Sequence, residues 1–132
     1  MGTLYQIHFI FGERVLPLLV VIAAIYFTVT YKPDAPRTLV HRLFPVLVDL
    51  QVGLGIIYWI FLLFNTSGAT QAKYIGFPFI LHPVLGILAA GLAHMAMSPK
   101  NPLARLGRWS PLASLGVLLV LVLTTVVVGI QA

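Results

Sequence analysis

Four long runs of apolar residues, separated by three short polar stretches, occupy nearly the whole chain. A helix that crosses a bilayer needs about 20 mostly apolar residues, and the pattern predicts four of them, over residues 4–31, 39–64, 75–97 and 110–131. The interruptions YKPDAPR, NTSGATQAK and SPKNPLARLGR concentrate turn formers and charge. Connections this short join antiparallel neighbours. The predicted fold is therefore all-α: a four-helix transmembrane up-down bundle that forms a single domain over residues 1–132. Residues 83–97 alone are too few to span, so the third helix is expected to begin upstream, near Gly76 or Pro78, and to kink at Pro83.

Composition points to lipid as the solvent. The chain is 60% hydrophobic and only 8% charged, with a mean hydropathy of +1.02, which leaves too little polar surface to solvate a globule. The formal charge of +5 would suggest nucleic acid in a soluble chain; here it lies at membrane edges and meets lipid headgroups, and no nucleic-acid partner is expected. Lys32, Arg37, Arg42, Lys100, Arg105 and Arg108 belong to the first and third loops and their flanks, whereas the second loop holds only Lys73. The positive-inside rule then puts both termini on the outer side, with a prokaryotic-type plasma membrane as the expected location. Trp59 and Trp109 fall near span ends, as interfacial anchors do. No cysteine is present, which excludes disulfides, thiolate-held zinc, iron–sulfur clusters and haem attached through thioethers. The segment MGTLYQIHFIFGER has no basic region ahead of its apolar run, so the first helix is expected to be retained.

Ionisable residues inside spans are costly and point to function. His8 and His82 open the first and third helices, which run in the same direction, so both should lie toward the outer leaflet; His41 and His94 should lie toward the inner one. Such pairing by depth would let two imidazoles meet across a porphyrin at one or both levels. The outer pair shares the form H-x-x-x-G, with Gly12 and Gly86 on the same helix face as His8 and His82, where a glycine leaves room for a cofactor edge. Ala89, Ala93 and Ala96 continue a stripe of small residues on the third helix, a pattern that also serves plain helix packing. His41 and His94 are the weaker candidates, with interfacial polar roles as the alternative. Glu13 and Arg14 follow Gly12 and could pair with each other, reach haem propionates through the arginine, or mark the membrane edge, in which case His8 falls out of register with His82. Asp49 and Gln51 lie near the middle of the second span and require a polar partner; a proton relay or quinone hydrogen bond, for which Glu13 is a further candidate, or a contact to another subunit are the functional options, and a neutral acid bonded to a backbone carbonyl is the alternative.

The stretch from Gln51-Val-Gly-Leu-Gly55 to Ile80-Leu-His82 resembles two consecutive helices of one half of the haem A synthase family, and the first helix with His8 resembles that half's other histidine-bearing helix. The resemblance implies that His8 and His82 are axial ligands of a b-type haem. It covers about three of the four helices. The family is built from two such halves, whereas this chain has the length of one, lacks a counterpart of the leading helix with its catalytic glutamates, and has none of the family's outer-loop cysteines, so haem hydroxylation is not expected. Four-helix membrane cytochromes b share the same general plan.

The expected function is that of a small b-type cytochrome holding one or two haems, an electron-transfer subunit of a larger respiratory or photosynthetic membrane complex. Its partners would be lipids, other membrane subunits and, as an option, quinone. No residue looks like a catalytic nucleophile. The alternative is a structural accessory subunit, either cofactor-free or with its histidines on chlorophyll-type pigments; a small transporter with Asp49 as coupling carboxylate lacks a visible inverted repeat.

Overall fold

The structure, a computed structural model, describes residues 2–131. These are helical nearly throughout, without strands among the described residues. α1 runs over Gly2–Val29, α2 over Leu39–Asn65, α3 over Gly68–Ile75, α4 over Leu81–Ala96 and α5 over Ser110–Gln131. Three stretches are long and apolar enough to cross a membrane: Gly2–Val29, Leu39–Asn65 and Pro102–Gln131, the last being α5 with the turns that lead into it.

The first, second and fourth predicted spans coincide with α1, α2 and α5 to within a few residues. The third does not. Instead of one kinked helix over 75–97, the chain forms the short α3, a run of tight turns over 76–80, and then α4 of 16 residues, about 24 Å long. Proline chemistry accounts for the difference. Pro78 has no N–H with which to continue a helix out of α3, and the turns close instead through Leu81 N–H to the Pro78 carbonyl at 3.1 Å and His82 N–H to the Phe79 carbonyl at 2.9 Å. Pro83 then sits in the first turn of α4, where a missing N–H leaves no intrahelical bond unmade. No kink is needed, and His82 stands at the very start of its helix.

α1 contains one wide turn, Phe11–Val15, in which the Leu16 N–H reaches the Phe11 carbonyl, one residue farther than in an α-helix. Pro17 explains it: its ring would crowd the Glu13 carbonyl and it has no N–H to offer that oxygen. α2 starts on a reciprocal cap, in which Thr38 N–H donates to His41 Nδ1 at 3.2 Å.

The end of α1 up to Ile10 packs against α2, the part from Leu16 onward packs against α5, and α4 packs against both α5 and α2. Val20, Val48, Ala93, Leu115 and Leu118 are fully enclosed where these helices meet. Ala89 and Ala93 bring α4 close to its neighbours, the packing role open to a stripe of small residues. Outward faces stay apolar: Val29, Phe64 and Val120 are among many large side chains left uncovered. At the opposite end from α3, Asn101 is buried and donates to Ser114 Oγ at 2.7 Å while accepting from Leu103 N–H. This fastens the connection before α5, which turns at Gly107 with φ 63°.

Candidate functional site

His8 and His82 come together. Their ring centres are 6.0 Å apart and their planes nearly perpendicular, at 81°. α1 is one continuous helix from Gly2, so His8 lies inside it at the level of His82, and the register expected for a paired site is kept.

Each ring is held in the same way. His8 Nδ1 is 3.1 Å from the Gln51 carbonyl oxygen, and His82 Nδ1 is 2.8 Å from the Thr125 carbonyl oxygen. A carbonyl can only accept, so Nδ1 is the donor in both. The proton is thereby kept on Nδ1 and the lone pair on Nε2, which has no hydrogen-bond partner among the described residues for either histidine. A helix carbonyl already bonded within its helix has a second lone pair, but the side chain four residues on usually stands beside it. Here that residue is glycine in both cases. A Cβ on Gly55 would lie 2.5 Å from His8 Cε1, and one on Gly129 would lie 2.6 Å from His82 Nδ1.

The two arrangements are copies. His8 and His82, Gly12 and Gly86, Gln51 and Thr125, and Gly55 and Gly129 are each 74 residues apart. Each hairpin thus supplies one histidine, one accepting carbonyl 43 residues later and one seating glycine. The copies differ at one point. Gln51 also returns a bond, Nε2 to the His8 carbonyl at 2.7 Å, and its amide fills the space beside Gly12. Thr125 is too short for this and spends its hydroxyl on the Leu121 carbonyl. Gly86 consequently faces open space, with only Val52 methyls at 3.8 Å from where its Cβ would be. Of the two H-x-x-x-G glycines, one admits a neighbouring amide and one remains clear.

Both histidines line a cavity of about 710 Å³ between α1, α2, α4 and α5, with α3 over one end. That volume lies within the range of about 300–1,000 Å³ common for cofactor and ligand sites. Its walls include Leu16, Val48, Ala89 and Val122. Glu13 also reaches the cavity, and its Oε2, like Gln51 Oε1, is buried without a hydrogen-bond partner. Arg14 lies on the exposed side of the same turn, away from the cavity, and forms no ion pair with Glu13.

The inner histidines do not form a second pair. His41 caps α2 through Thr38 and packs on Phe27, with ring centres 4.5 Å apart. His94 Nε2 meets Asp49 Oδ2 at 2.6 Å, about 12 Å farther along α2 by the rise from residue 41 to 49. Asp49 therefore finds its polar partner on α4, and Gln51 finds its own on α1. Among the described residues no three of His, Cys, Asp and Glu cluster as a set of metal ligands; the two histidines stand alone.

No family model, curated protein or solved structure matches this chain. Its chemistry is read from the geometry. The sequence singles out Gly55 only as part of the Gln51–Gly55 motif, and Thr125 and Gly129 not at all, because a carbonyl leaves no residue signature and a single glycine in an apolar helix reads as packing. One signal was available: the spacing from histidine to glycine, 8 to 55 and 82 to 129, is the same in both halves.

Proposed function

We propose that the chain is a small b-type membrane cytochrome, a four-helix bundle in which His8 and His82 hold one haem, working as an electron-transfer subunit of a larger membrane complex. The observation that carries this reading is the close pair of imidazoles from two different helices, with ring centres 6.0 Å apart and an Nε2 on each without a hydrogen-bond partner among the described residues.

The donor set agrees with this chemistry. Metal-binding histidines almost always donate their second nitrogen to a carbonyl or carboxylate, which fixes tautomer and ring direction, and the Gln51 and Thr125 carbonyls do so for His8 and His82. Two protein ligands suffice where the macrocycle supplies the rest, in keeping with a histidine pair and no third ligand. Haem bound in such a site supplies one-electron redox chemistry. The chain's residues hold the two rings, fix the neutral tautomer that carries its proton on Nδ1, and wall the site with Leu16, Val48 and Val122. With His41 committed to a helix cap and His94 to Asp49, one haem is the expected load.

Membership of a complex is supported by the Asp49–His94 pair. Its side chains are 44% and 54% exposed on helices whose outward faces carry uncovered apolar side chains such as Leu50 and Leu88, and an ionisable pair facing hydrocarbon is unfavourable. A neighbouring subunit would cover it. Both termini would lie on the outer side, opposite the basic loops.

A reduced-minus-oxidised spectrum with pyridine haemochrome quantification on detergent-purified protein tests the reading. One b haem per chain is expected, lost in His8→Ala and in His82→Ala. Absence of haem from folded protein supplied with it, or full retention by His82→Ala, would overturn the proposal and leave a pigment-binding or structural subunit.

A further inference from the structure

The cavity's ammonium and its tyrosine hydroxyls lie at the end covered by α3. Arg14, for which contact with haem propionates is one of three readings of the sequence, is exposed and does not line the cavity. Lys73 on α3 is the one Lys or Arg among the described residues that line it. Tyr5, Tyr58 and Tyr74 line the same end, with Tyr5 and Tyr58 in ring contact at 5.3 Å. None of the three hydroxyls has a hydrogen-bond partner among the described residues. The lining carboxylate, Glu13, is eight residues along α1 from Tyr5, about 12 Å away.

α3 is held where it brings these donors over the opening. Trp59 Nε1 donates to the Tyr74 carbonyl at 2.8 Å, and Gln71 Nε2 donates to the Leu63 carbonyl at 2.7 Å. These two bonds turn the segment after α2 back across the cavity rather than away from it. The result is an apolar chamber with an ammonium and three free hydroxyls at its mouth and a carboxylate near its far end.

We propose that this mouth recognises the carboxylates of the cavity's ligand, so that the chamber is built for an acidic amphipathic macrocycle whose acid edge lies toward α3, with Lys73 as its principal anion-binding residue. The inference rests on the reading of His8 and His82 as haem ligands. An ammonium paired with a carboxylate at a partly solvated rim adds affinity modestly and in a salt-dependent way. Tyrosine hydroxyls add hydrogen-bond donors.

The test is equilibrium titration of haem-depleted protein in detergent with haemin and with haemin dimethyl ester, for the unmodified chain, Lys73→Gln, Lys73→Arg and Tyr74→Phe. The unmodified chain is expected to bind haemin about three- to tenfold more tightly than the ester. Lys73→Gln should bind the two nearly alike, Lys73→Arg should keep the preference, Tyr74→Phe should reduce it in part, and rising salt should diminish it wherever it is present. A full preference for haemin in Lys73→Gln would overturn the inference while leaving the histidine site intact. If the unmodified chain binds neither form, or if His82→Ala binds haemin as tightly as the unmodified chain, the haem reading fails and this inference falls with it.

Discussion

The His82 imidazole lies in the space where Gly129 has no side chain: a Cβ there would stand 2.6 Å from Nδ1 and 2.7 Å from Cε1. Such close approach is what lets the ring bond the Thr125 carbonyl one helical turn earlier. Alanine is the better helix former by about 1 kcal/mol, so at an unconstrained position Gly129→Ala would raise stability. Here overpacking, at about 1–3 kcal/mol, should outweigh that gain. Thermal unfolding of Gly129→Ala and of Gly55→Ala is expected to show destabilisation and, under the proposed haem reading, the reduced-minus-oxidised spectrum should change. An increase in melting temperature with an unchanged spectrum would show that the seats are not needed.

The H-x-x-x-G glycines should behave unequally. A methyl on Gly12 would collide with the Gln51 amide, whereas one on Gly86 would make ordinary contact with Val52. Gly12→Ala is expected to break the bond from Gln51 Nε2 to the His8 carbonyl and to cost about 1–3 kcal/mol. Gly86→Ala should be within about 1 kcal/mol of neutral as judged by unfolding, though it would narrow the cavity. Equal effects of the two on stability would contradict the asymmetry.

Asp49 and His94 should matter to the surface rather than to the proposed haem site. Asp49→Asn removes the carboxylate from a contact of 2.6 Å and should leave the reduced spectrum unchanged. Size-exclusion or native-gel analysis of extracted membranes should show weakened association with other subunits. Loss of haem in this variant, with the fold preserved, would place Asp49 in the redox site instead.

Ser114 is 1% exposed and accepts from Asn101. Ser114→Ala removes the shorter of the two bonds that Asn101 Nδ2 donates, leaving the one to the Ala96 carbonyl at 3.5 Å, and is expected to cost about 1–3 kcal/mol, measured by denaturant unfolding in detergent. Haem content should not change, because this bond lies at the end of the molecule away from α3 and His82.

Much of this architecture follows from the chain alone. Runs of apolar residues long enough to cross a bilayer, broken by proline, glycine and charge, dictate α1, α2 and α5 almost to the residue, since in lipid a helix is the one way such a run can satisfy its own backbone. The placement of His8 and His82 near the same ends of parallel helices is also legible, because depth follows from residue count and helix rise. The start of α4 was not, because Pro83 can kink a helix or open one, and only the turns after Pro78 decide between them. The second layer of the site lay beyond reach for a related reason. Which carbonyl meets a histidine, which glycine makes room for it, and whether Arg14 or Lys73 faces the cavity depend on how helices rotate about their axes when packed. An amphipathic pattern would set that rotation in water; helices that are apolar on every side reveal it only when their packed neighbours are seen.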